Sequence, residues 1–165
     1  MRLKIIFTLL IVLGLAALAS AQTKVLGTAQ CGKADQEHSI QIGDRPNHSF
    51  TISQGKCTWT TPVEIAGIQS KEGVYTLLTE TSGNTLHYHF YYADTMANGD
   101  KAYYRGEGTM TVKDAVPQSG DEKWTLVRGE GKLKGIKGKG TNTFKSAAAD
   151  GSSTWETEGE YELPK

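Results

Sequence analysis

The chain has little of several things that commonly announce a function. Its 165 residues include only 2 cysteines and 4 prolines, and 18 Lys+Arg are matched by 18 Asp+Glu, so neither sign of charge dominates. Without a basic surplus to displace counterions there is no electrostatic basis for a nucleic-acid partner. The same balance excludes an acidic tail. There is no Cys-x-x-Cys, no Gly-x-Ser-x-Gly elbow and no glycine loop following a βα unit, so the dithiol redox motif, the nucleophile elbow of α/β-hydrolases and nucleotide-binding loops are not found. No cofactor is expected, and no Ser/His/Asp grouping or other acid–base set identifies a catalytic residue.

What is present begins at the N-terminus. Arg2 and Lys4 precede an apolar run, Ile5 to Leu18, and Ala19-Ser20-Ala21 has the small-x-small form of a signal-peptidase site. Residues 1–21 therefore read as a signal peptide cleaved after Ala21. The run is shorter than the roughly 20 residues that a spanning helix needs, so no stable membrane anchor survives processing. Cleavage removes two cations, leaving 16 basic against 18 acidic groups, while 18 of the 19 glycines remain. The expected destination is the periplasm or the exterior. In such an oxidising compartment Cys31 and Cys57 form an even pair, which predicts a disulfide.

The processed chain is rich in glycine and threonine and poor in large aliphatics, so aromatic residues must supply much of its buried area. From Gln36 onward the pattern has period two, punctuated by Gly, Asn, Asp and Pro. The clearest segment is 155–163, where four glutamates alternate with a face carrying Trp155, Tyr161 and Leu163. Strands are predicted at 36–42, 48–54, 56–68, 73–82, 85–93, 101–113, 122–128, 131–136, 138–146 and 153–163. Turns are expected at 82–84, 98–100, 119–121 and 150–152. Residues 22–35 read as a loose leader held at Cys31, and 36–165 as one domain. The expected fold is all-β, a single antiparallel barrel of about eight strands, since closure removes exposed edges. The pairs Gly106/Gly108, Gly129/Gly131 and Gly138/Gly140 each share a face, as at bends or close approaches in a barrel.

The stretch 126–138, with Gly129, Gly131, Gly135 and Gly138, resembles the glycine hairpin of allene oxide cyclases and plant dirigent proteins. Tyr88-His89-Phe90-Tyr91-Tyr92-Ala93-Asp94, continuing through Gly99 and Gly106, is similar to the aromatic strand, Asp turn and glycine strand that precede that hairpin in the cyclases. The resemblance covers about residues 85–140 and implies a calycin-like barrel of eight strands with a cavity for a small apolar ligand. The whole chain looks most like uncharacterised exported bacterial proteins of that barrel class. Asp44-Arg45 matches an Asp-Arg pair of the cyclases, but Ser39 and Gln41 stand where those enzymes carry a Glu and an Asn. Cyclase chemistry is therefore not carried over.

Other residues invite functional readings. His87 and His89 project from one face of a strand, a geometry that suits a transition metal if His38 or His48 completes the set. No carboxylate stands at a fixed spacing from them, so they read as an outward polar face and no metal is expected. Lysines 132, 134, 137 and 139 form the one basic cluster, expected to pair with the glutamates of the last strand.

The sequence thus predicts an exported barrel, monomeric or homo-oligomeric, that binds a small apolar molecule without catalysis. The cavity lining is expected to include Tyr88, Phe90, Tyr92, Trp124, Trp155 and Tyr161, with Leu126 and Leu163 also inward. Two alternatives stand beside it. One is an isomerase or cyclase acting on an oxidised lipid or terpenoid, which needs an ionisable group in the cavity, with Arg105, Glu107 or His89 the first to inspect. The other is a structural or surface-interaction protein, marked by exposed apolar area.

Overall fold

The computed structural model describes residues 22–113 and 116–164; residues 1–21, read above as a signal peptide, lie outside them. Among the described residues there are ten strands: β1 (Thr23–Cys31), β2 (Gln36–Gln41), β3 (His48–Thr61), β4 (Glu64–Ile65), β5 (Ile68–Ser82), β6 (Thr85–Met96), β7 (Lys101–Lys113), β8 (Val116–Gly129), β9 (Lys137–Ala147) and β10 (Ser153–Glu162). The one helical element among the described residues is a 3-10 turn over Gly131–Leu133.

Eight strands close a barrel. All pairings are antiparallel, running β3-β1-β10-β9-β8-β7-β6-β5, and β5 returns to β3 along Ser49↔Thr81 to Thr58↔Glu72. Closure leaves no open edge on this circuit. The short strands β2 and β4 flank it, β2 on β3 and β4 on β5.

The segment read as a loose leader is a barrel stave. β1 pairs along its whole length with β10 and at its end with β3, where Cys31 lies directly opposite Cys57, its disulfide partner. The bridge joins residues 26 apart in sequence and stabilises by about 3.5 kcal/mol through chain entropy. Three further expectations are corrected. Segments 48–54 and 56–68 are one strand, β3, followed by β4. Residues 119–121 lie inside β8 rather than in a turn. Residues 131–136 form the 3-10 turn and its exit rather than a strand.

Inward glycines make room for aromatic rings. Tyr88 lies opposite Gly108, Phe90 opposite Gly106 and Trp124 opposite Gly140. In each case a Cβ added to the glycine would collide with the ring. The rings therefore lie flat against neighbouring strands instead of filling the lumen. One end of the barrel is sealed. Ile65 of β4, Met96, Ala102, Leu133 and Ile136 form a floor in which none is more than 2% exposed. Tyr161 tethers it, its hydroxyl accepting a hydrogen bond from the Ala66 amide at 2.9 Å.

Candidate functional site: the barrel interior

Above this floor the barrel encloses a cavity of about 510 Å³. Its walls carry Leu77, Phe90, Tyr92, Trp124, Trp155 and Tyr161, and its mouth is framed by Lys33, Glu37, Pro117 and Gly151. The aromatics are fixed by edge contacts: Trp124 meets Tyr104 at 5.4 Å and 86°, and Trp155 meets Phe144 at 5.4 Å and 76°. The Trp124 indole N–H donates to Thr157 Oγ1 at 3.1 Å, and that of Trp155 to Ser153 Oγ at 3.1 Å. These hydrogen bonds hold ring orientation, so the cavity is preformed rather than made by collapse of loose side chains.

Five of the six expected lining residues border this space; Tyr88 is the exception. Tyr88 is inward and 5% exposed, set in the wall against Gly108. Leu126 belongs to the core, and Leu163 packs against it. The three ionisable residues named for inspection do not enter the interior, because His89, Arg105 and Glu107 are all exposed on the outer wall. His87 is also outside, its ring Nδ1 3.1 Å from Thr109 Oγ1. Among the described residues no three ligating side chains converge on a possible metal position.

Two carboxyls that sequence reasoning overlooked do face inward. Asp94 is fully buried behind the cavity wall. It accepts hydrogen bonds from Ser70 Oγ at 2.6 Å and Trp59 Nε1 at 2.9 Å. Burial raises its pKa to about 6, against the opposing effect of those donors and the Thr95 amide. Glu122 lies farther up, in the cavity lining. Its Oε2 accepts from Asn142 Nδ2 at 2.6 Å, and burial raises its pKa to about 7, with Asn142 and Tyr88 pulling the other way. The Tyr88 phenol comes near this carboxyl, yet its geometry falls short of a hydrogen bond. Its hydroxyl and that of Tyr92 are buried without a partner. Burial also raises the pKa of both phenols, so they stay neutral.

Period two contained the signal for both acids. Glu122 stands two and four residues before Trp124 and Leu126, and Asp94 stands two and four after Tyr92 and Phe90. Any reading that turns those aromatics inward turns the acids inward as well.

A third polar cluster sits on the β2–β3 hairpin, outside the cavity. His48 is 7% exposed, with Nδ1 against Asp44 and Nε2 3.0 Å from Glu80 Oε1. The Asp44 contact first, then Glu80, raises the imidazole pKa. Arg45 closes the cluster by donating to Ser82 Oγ at 3.1 Å. The Asp44-Arg45 pair that matched the cyclases thus serves to fasten the hairpin to β5.

Comparison with family models and with curated proteins finds no match. Among solved structures the barrel is similar to the pterocarpan synthase dirigent protein GePTS1, at a TM-score of 0.50 and 11% identity, covering 87% of this chain and 92% of that one. It is likewise similar to the pterocarpan synthase dirigent protein PsPTS1, at a TM-score of 0.50 and 12% identity, covering 88% and 97%. A conserved protein of unknown function from Rhodopseudomonas palustris aligns at a TM-score of 0.41 and 11% identity, covering 85% and 98%. The resemblance expected from the glycine hairpin therefore holds for the fold, and at these identities the likeness is one of fold alone.

Proposed function

We propose that this is an exported protein that binds a small, largely apolar molecule inside its barrel and does no chemistry on it. The observation that carries this reading is the cavity of about 510 Å³ with aromatic walls. That volume lies within the roughly 300–1,000 Å³ of small-molecule sites, and apolar walls with a few polar groups are their usual composition. The disulfide fits an oxidising compartment. Titration of the purified protein with the neutral dye N-phenyl-1-naphthylamine should give saturable binding. Thr79→Phe, which fills the cavity from β5, should weaken that binding at least tenfold. An unaltered titration in this variant would refute the reading.

A second reading, contact of the outer wall with another macromolecule, is favoured by one observation. Ile40, Phe50, Ile52 and Leu78 are 43–71% exposed. They adjoin through the pairs Ile40↔Phe50 and Ile52↔Leu78, making a continuous apolar strip of the kind that marks interaction surfaces. Sedimentation equilibrium tests its simplest form. An oligomer that Ile52→Glu dissociates would support it, and a monomer at all concentrations would exclude self-association.

A further inference from the structure

We infer that Glu122 and Asn142 form a polar anchoring point within the cavity, and that the ligand is a neutral apolar molecule carrying a carbonyl or hydroxyl oxygen that pairs with the free Glu122 Oε1. The inference rests on the cavity reading above and adds the chemistry of the ligand.

The geometry supplies the argument. On its strand Glu122 lies between neighbours with no competing side chain on one flank, since its partner on β7 is Gly108 and its partner on β9 is Asn142. The Asn142 amide fixes one carboxyl oxygen, Oε2, and so sets the orientation of the group. Oε1 makes no hydrogen bond among the described residues, and the residue borders the cavity. Among the described residues the enclosed side-chain oxygens without a partner are the Tyr88 and Tyr92 hydroxyls, so the unpaired Oε1 is open to the space beside it, where a ligand or water can complete it. The unpartnered Tyr88 hydroxyl lies beside the same group, so two hydrogen-bonding functions converge here in otherwise apolar walls.

Charge decides which oxygen the site accepts. The side chains beside Glu122 are Tyr88 from β6 and Asn142 from β9, and Thr79 of β5 and Thr51 of β3 line the same cavity, none of them cationic. Lys33 and Glu37, the charged groups of the lining, stand at the mouth. With no cation to compensate it, burial favours the neutral acid. A neutral carboxyl donates its proton to a ligand oxygen; an ionised one repels an anion. A fatty-acid carboxylate is therefore the wrong ligand, and a ketone, enone or phenol is the right one.

Two neutral dyes separate this inference from the cavity reading. Prodan carries a ketone, whereas N-phenyl-1-naphthylamine carries no oxygen. Both are titrated into wild type, Glu122→Gln and Glu122→Leu, with thermal unfolding confirming that each variant is folded. Glu122→Leu should weaken prodan about tenfold, the worth of one buried hydrogen bond, and leave N-phenyl-1-naphthylamine within twofold. Glu122→Gln keeps a donor, so it should bind prodan nearly as wild type does. Prodan affinity should fall from pH 5 to pH 9 in wild type and stay flat in Glu122→Gln. Equal behaviour of both dyes in Glu122→Leu would overturn the anchoring role while leaving the cavity reading intact. Failure of N-phenyl-1-naphthylamine to saturate wild type would overturn the cavity reading and this inference with it, whereas failure of prodan alone would overturn only the inference.

Discussion

Asp94 and Glu122 are both buried carboxyls on the inner face of one barrel, yet their surroundings differ in a way that assigns them different work. Asp94 is enclosed by the floor, with Ser70, Trp59 and a backbone amide all donating to it. Glu122 has one side-chain donor, Asn142, and a free oxygen beside open space. Burial alone does not separate a structural acid from a ligand-facing one; the count of satisfied lone pairs and the presence of a void do.

Four experiments can break or sharpen this contrast. The largest expected effect is on stability as a function of pH. Both carboxyls have folded pKa values raised above their ordinary ones, to about 6 for Asp94 and about 7 for Glu122. Each therefore favours the folded state while protonated. That contribution is complete below about pH 4 and is lost as pH rises through 6 to 7, at about 3 kcal/mol per group. Urea denaturation at pH 4.5 and pH 8 should show wild type losing stability with rising pH, and Glu122→Gln losing roughly half as much. Stability that rises over this interval would contradict the assignment.

Next in size, Asp94→Ala should cost about 3 kcal/mol at pH 5, because it strands the Ser70 hydroxyl and the Trp59 indole N–H in the floor. The same variant should leave dye binding unchanged. Loss of binding without loss of stability would reverse the roles given to the two acids. Gly106→Ala addresses the ring-on-glycine packing that shapes the cavity. The added methyl meets the Phe90 ring and the Lys123 carbonyl, and should cost about 1–3 kcal/mol by overpacking, read from the shift in the denaturation midpoint. The smallest effect belongs to the surface. Lys139 pairs with Glu160 at 3.4 Å and Lys145 with Glu156 at 2.8 Å, and Lys139→Ala should change stability by about 1 kcal/mol or less.

Much of the barrel was legible in the sequence because its signal is simple alternation. Trp155, Tyr161 and Leu163 against four glutamates could describe little but a strand with one wet face, and β10 follows that pattern. What escaped had physical reasons. β1 turns Val25, Gly27 and Ala29 inward, and such small side chains give alternation too weak to distinguish a stave from a leader. The 131–136 stretch alternates Lys132, Leu133 and Lys134 as a strand would. Positive φ at Gly131, 57°, together with the 3-10 turn it opens, diverts the chain to deliver Leu133 and Ile136 to the floor. The two lysines there are consequently not strand residues, and the cross-strand pairing expected of the basic cluster is realised by Lys139 alone among the four. Glu122 was hidden by its neighbours. It opens the predicted strand 122–128, but between Asp121 and Lys123 and beside the turn expected at 119–121 it has the look of a solvated strand end, whereas β8 starts at Val116 and turns Glu122 inward.

The contrast between the acids comes down to whether a ligand touches Glu122. Infrared difference spectra of the purified protein at pH 6, with and without prodan, observe the carbonyl stretch of protonated carboxyls directly. A band that shifts on adding prodan, persists in Asp94→Asn and is absent in Glu122→Gln is the expected result. A spectrum in which prodan binds and no carboxyl band moves would contradict the placement of the ligand at Glu122.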